Sequence, residues 1–191
     1  MILHCTTKLA AKLPAATFTA SVLPGDEQGE SPLGDWHAHL LILDHRNCVL
    51  FCHDLTRYTL FLPGLRAPQF AELGRCHREL FLAALEAQGV AYGRLAHVEL
   101  AIGPLVADSR TDRSVLGSLR VAAEDLQHGM LPRVPNVLDL EPVATSRRLN
   151  ERPCTVHKTL IWPEQAMRAL VEQLGSEKIA GMTVGLRPGH A

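Results

Sequence analysis

Apolar residues come in short, strand-like runs over the first third of the chain and change to a 3-4 spacing beyond residue 66. Met1 to Cys5 is a short apolar run that predicts a strand, and Thr6 to Leu13 places Leu9 and Leu13 on one helical face. Residues 14–35 carry Pro14, Pro24, Gly25, Gly29, Pro32 and Gly34 and read as a surface loop. Trp36 to Leu43, Cys48 to Cys52 and Tyr58 to Leu62 follow as three apolar runs separated by polar turns. Asp44-His45-Arg46-Asn47 suits a tight hairpin, and His53-Asp54-Leu55-Thr56-Arg57 a longer one. The pattern is that of a three-stranded antiparallel meander over 36–62.

The 3-4 spacing predicts helices at 67–88, 112–127 and 163–174, with a shorter one over Val143 to Asn150. In the first, Phe70, Leu73, His77, Leu80, Phe81, Ala84 and Leu85 form one stripe, and Gly89 stands where a helix end favours glycine. Asp112 is positioned to cap the second. His97 to Ile102, bounded by Gly103-Pro104, alternates weakly and is a candidate strand. The fold expectation is α+β: a four- or five-stranded antiparallel sheet with helices packed chiefly on one face. A single domain spans residues 1–191, and the glycine-rich stretch 175–191 reads as a flexible tail.

Composition adds limits rather than a function. The chain of 191 residues is 47% hydrophobic and 20% charged, ordinary values for one globular domain. Lys and Arg number 19 against 20 Asp and Glu, a net charge of −1, so no global field draws the molecule to nucleic acid or anionic lipid. No secretory signal pattern and no membrane-length apolar run is present, which points to the cytoplasm and away from a membrane. Five scattered cysteines suit a reducing compartment. Cys48 and Cys52 would share a strand face about 13 Å apart, too far for a disulfide.

Several segments carry a resemblance: Met1 to Leu9, Leu33-Gly34-Asp35-Trp36-His37-Ala38-His39-Leu40, Asn47 to Phe51 and Tyr58 to Leu65. Asp112-Arg113-Ser114-Val115-Leu116-Gly117-Ser118-Leu119 and Arg147 to Pro153 continue it. Together they resemble a bacterial family known only as a domain of unknown function. The resemblance brings no enzyme name with it, and His39 stands where that family is expected to carry Asn.

Candidate chemistry lies in two places. Asp35, His37 and His39 are spaced two apart, which in a strand aligns them on one face. Such a set can hold a divalent metal or supply a base and its orienting acid. The plainer alternative is the exposed face of a strand whose other side, with Trp36, Ala38, Leu40 and Ile42, enters the core. The second place is basic. Arg110, Arg113 and Ser114 surround a helix start, where free N–H groups favour an anion. Arg147, Arg148 and Asn150 lie in a further arginine-rich run. Cys76-His77 and Cys154 with His157 are weaker pairs without a local catalytic signature. No phosphate-cradling glycine loop, nucleophile elbow or Cys-x-x-Cys is present.

The leading expectation is therefore a non-enzymatic binding or accessory protein that needs no cofactor. It would use the arginines to hold an acidic protein, a nucleotide or a nucleic acid. The rivals are a hydrolase, metal-dependent or not, acting through Asp35, His37 and His39, and a structural subunit that forms a homodimer.

Overall fold

The three apolar runs fold as their spacing predicts. In the computed structural model, which describes residues 1–18, 31–156 and 158–174, β2 (Trp36–Leu43) pairs antiparallel with β3 (Arg46–His53). β3 in turn pairs antiparallel with β4 (Thr59–Leu65). Asp44 and His45 close the first hairpin at φ 46° and 59°. Two successive left-handed residues give a turn whose twist matches that of the strands.

The sheet is mixed rather than purely antiparallel. Its order is β4-β3-β2-β1-β5, with β1 (Ile2–Cys5) parallel to both β2 and β5 (Val106–Asp108). A parallel pair needs a long crossover, and residues 6–35, which open with α1 (Thr7–Ala10), provide one between β1 and β2. Short hairpins reveal only the meander, not the direction of strands added across long connections.

Helices cover both faces, which corrects the one-sided expectation. On one face α3 (Leu73–Ala87), α4 (Tyr92–Ile102) and α7 (Pro163–Gln173) share a core with Trp36, Ala38, Phe51 and Leu60. On the other, α5 (Arg113–Glu124) and the π-helical turn Asp125–Met130 pack on Leu41, Cys48, Leu50, Cys52 and Phe61. The cause is visible in β3, where every residue from Cys48 to His53 is buried. A near-continuous apolar run, unlike an alternating one, demands cover on both sides.

Local differences have local reasons. The helix expected over 67–88 breaks at Glu72 (φ −110°, ψ 21°) into α2 (Ala67–Ala71) and α3, and Phe70 and Leu73 on either side of the break are both buried. Residues 97–102 belong to α4 rather than to a strand, because Leu95, Val98 and Ile102 repeat at three and four. Gly103, at φ 60°, ends that helix, and the strand begins only at Val106. Ile42, assigned to the core from the alternation, is 59% exposed. A small hairpin of β6 (Cys154–Val156) and β7 (Thr159–Ile161) was not anticipated. Gly89, at φ 79°, follows α3 as expected. Asp112 caps α5, accepting from the N–H groups of Ser114 (2.6 Å) and Val115 (3.1 Å).

α6 (Pro142–Asn150) lies along the outer edge of β4. Ser146 Oγ accepts from the Phe61 N–H (3.0 Å) and Asn150 Oδ1 from the Thr59 N–H (2.7 Å), while Asn150 Nδ2 donates to the Thr59 carbonyl (2.8 Å). Backbone groups left over at the sheet edge are thus satisfied by side chains. No helix among the described residues is long and apolar enough to cross a membrane. Positions 19–30 of the expected loop and the expected tail 175–191 lie outside the described residues.

Candidate functional site

Arg57 ends the turn between β3 and β4 in the left-handed region, at φ 59°. A bulky residue rarely adopts that conformation, and where it does the strain is commonly retained for function. The residue is 4% exposed. Its Nη1 donates to the Asp54 carbonyl and its Nη2 to Ser114 Oγ (3.0 Å), while Nε, shut off from solvent, has no hydrogen-bond partner among the described residues. It makes no ion pair with a carboxylate among the described residues. A guanidinium carries five N–H donors, and a buried charge without a counter-charge is expensive.

This arginine lines a cleft of about 460 Å³ between α5 and the segment around Arg152 to Thr155. Ser114, Ser118 and Thr59 add hydroxyls to its wall, and Val121, Leu149 and Pro153 supply apolar surface. Asp125 and Arg152, paired with each other, also stand on its wall. A pocket of this size with a charged anchor and apolar surface is the usual form of a small-molecule site.

A second cluster lies on the same side of the sheet. The register sets His4 of β1 beside His37 of β2 and Asp108 of β5, so three parallel strands present polar side chains in one row. His4 Nδ1 is 2.6 Å from Asp108 Oδ1, and His37 Nδ1 is 2.7 Å from Asp54 Oδ1. The Asp112 N–H donates to His37 Nε2 (2.8 Å). That donation makes Nε2 an acceptor, so the His37 proton sits on Nδ1 and is given to Asp54. His4 Nε2 faces Asp54 Oδ2 at 3.7 Å. Nitrogen and oxygen atoms of His4, His37 and Asp54 all come within 4.8 Å of one another, a spacing compatible with a metal ion.

The electrostatics agree with this placement. Burial pushes the Asp108 carboxyl up, but hydrogen bonds from His4 and Arg110 outweigh it and hold the group below its ordinary range. Asp112 is also held low, first by the Val115 N–H, against a smaller effect of burial, and then by Ser114, Arg57 and His37. The thiols offer no nucleophile here: burial pushes Cys5 and Cys52 up to about 12.

The expected triad Asp35, His37 and His39 does not assemble. Asp35 precedes β2 and accepts the Ile2 N–H through Oδ1 (2.8 Å), tying β1 to β2. His39 pairs with Thr6 Oγ1 (3.3 Å), and burial and then Lys8 lower its pKa. Only His37 enters the cluster, and at 2% exposure it is no part of a solvated strand face.

The arginine segments are likewise divided. Arg110 pairs with Asp108 (2.7 Å), and exposed Arg113 makes no ion pair among the described residues. Ser114 reaches the cleft. Arg147 faces Glu151 at 4.0 Å, and Arg148 lines other hollows with Arg133 and Glu151. Asn150, 1% exposed, spends its amide on β4 and on the Ser146 carbonyl and has nothing left for an anion. His77 is fully buried and Cys76 half-buried, so this pair forms no site, and His157 lies outside the described residues.

No local pattern in the sequence marks Arg57, His4, Asp54 or Asp108 as site residues. Arg57 and Asp54 looked like turn residues, and His4 was one polar position in a short apolar run. Its partner Asp108 is 104 residues away, a distance over which no local pattern operates.

A family model described as a domain of unknown function (DUF6933) matches residues 2–166, so the chain belongs to that family. No curated protein and no solved structure matches it significantly.

Proposed function

We propose that this member of the family is a binding protein for a small anionic ligand, a phosphate or carboxylate on an apolar body, held in the cleft by Arg57. One observation carries the reading: a buried arginine that forms no ion pair with a carboxylate among the described residues lines a cleft of molecular size. Asp112 feels the Arg57 charge without pairing with it, so an anion in the cleft would give the guanidinium its direct partner, and a planar guanidinium is suited to grip two oxygens at once. Ser114, which already accepts from Arg57, has a hydroxyl proton to offer the same oxygens. Val121, Leu149 and Pro153 favour a ligand with an apolar portion over bare inorganic phosphate. The anion site expected around Arg110, Arg113, Arg147 and Arg148 is therefore replaced by one centred on Arg57, with Ser114 retained.

Calorimetric titration of the full chain with phenyl phosphate and with benzoate tests this, with benzyl alcohol as the uncharged control. Saturable binding of at least one anion is expected. Arg57→Gln should weaken it about 10- to 150-fold, the range of a charge-assisted hydrogen bond worth ~1.5–3 kcal/mol. Equal binding of the uncharged control, or unchanged affinity in Arg57→Gln, would sink the reading.

A further inference from the structure

We infer that His4 and Asp54 form a binding site for a divalent transition-metal ion of the zinc class, separate from the Arg57 cleft. His4 offers a free lone pair at Nε2, because its Nδ1 faces Asp108 Oδ1 at 2.6 Å and gives its proton there. A carboxylate behind a metal-binding imidazole fixes its tautomer and raises its basicity. Asp54 offers Oδ2, 3.7 Å from that nitrogen. Two ligands ~2.1 Å from one ion at a tetrahedral angle stand roughly 3.4 Å apart, so closing the pair on an ion needs a movement of a few tenths of an ångström.

His37 has a different part. Its Nδ1 proton goes to Asp54 Oδ1 (2.7 Å), and its Nε2 is taken by the Asp112 N–H (2.8 Å). To ligate through Nδ1 it would have to move its proton to Nε2, where the Asp112 N–H stands opposite. It therefore orients Asp54 as Asp108 orients His4. The four side chains form two ligands, each held by its own hydrogen-bonded support.

Access and charge fit the assignment. The side chains of His4, Asp54 and Asp108 are 12%, 23% and 26% exposed, so an ion can enter and the remaining positions stay open to water or a ligand. Mixed imidazole and carboxylate donors select a borderline ion such as Zn²⁺ over the oxygen-only chemistry of Ca²⁺.

The test is titration of the chelator-treated full chain with Zn²⁺ by calorimetry, with Co²⁺ absorption as a report on coordination. One equivalent should bind. His4→Ala and Asp54→Asn should each abolish uptake, Asp108→Asn should weaken it about 10- to 100-fold, and His39→Ala should leave it unchanged. Circular dichroism and thermal melting show whether each variant folds. Should His4→Ala fail to fold, the near-isosteric Asp54→Asn and Asp108→Asn still decide. No stoichiometric uptake by the unaltered chain, or uptake undiminished in Asp54→Asn or Asp108→Asn, overturns the inference. Either result leaves the affinity of the Arg57 cleft for phenyl phosphate to stand or fall on its own titration.

Discussion

The two faces of the sheet are built to different ends. On the face under α3, α4 and α7, aromatic rings close around His77, with Trp36 and Phe51 at centroid distances of 4.6 and 4.9 Å. The imidazole has no hydrogen bond at either nitrogen among the described residues, and burial drives its pKa down to about 3. On the other face α5 packs over β3 and β2. Beyond its start, Ile2, His4, Val106 and Asp108 are only half-buried. α5 and the turns that follow it do not roof all five strands, and the polar residues collect at the margin they leave. There they are partly desolvated, which strengthens their interactions, and yet within reach of a ligand.

The sharpest way to separate the faces is to hollow out the sealed one. Phe81→Ala should cost about 3–5 kcal/mol in urea unfolding, while Zn²⁺ and phenyl phosphate still bind the folded fraction. A loss of binding greater than the loss of folded protein would show that the faces are coupled.

Acid provides a second probe. Burial lowers His53 to about 4 and His77 to about 3, and both rings contact Trp36 on the sealed face. Between the ordinary histidine value of 6.5 and about 4, the unfolded chain binds protons that the folded chain does not. Stability should therefore fall as pH drops through that interval. Thermal melts at several pH values check the direction, and His77→Phe should flatten the curve.

The smallest effect is expected at the flank. Asn150→Ala leaves the Thr59 N–H and carbonyl without their side-chain partners and should cost about 1–3 kcal/mol. Loss of the Phe61 N–H bond to Ser146 in the same variant, seen as faster amide exchange, would mean that α6 detaches as a unit.

Local patterns made much of the framework legible. The meander, the Asp112 cap, Gly89 after its helix and the helices at 142–150 and 163–173 follow from turn residues and periodicity, which act over a few positions. The parallel placement of β1 and β5 does not, because it depends on register across long connections. The site shares that obscurity. His4 and Asp108 gain meaning only when β1 is laid against β5, and Arg57 only when α5 covers the turn that carries it. Asn150 shows the converse: its place in an arginine-rich run resembled a ligand site, but its amide faces a strand.

That amide has a further consequence. Ser146 and Asn150 meet β4 as a sixth strand would, so the sheet offers no long open ladder on that side for another copy to join. Whatever loosens α6 would therefore expose a template for intermolecular pairing, and the first symptom of damage there would be loss of solubility before loss of fold.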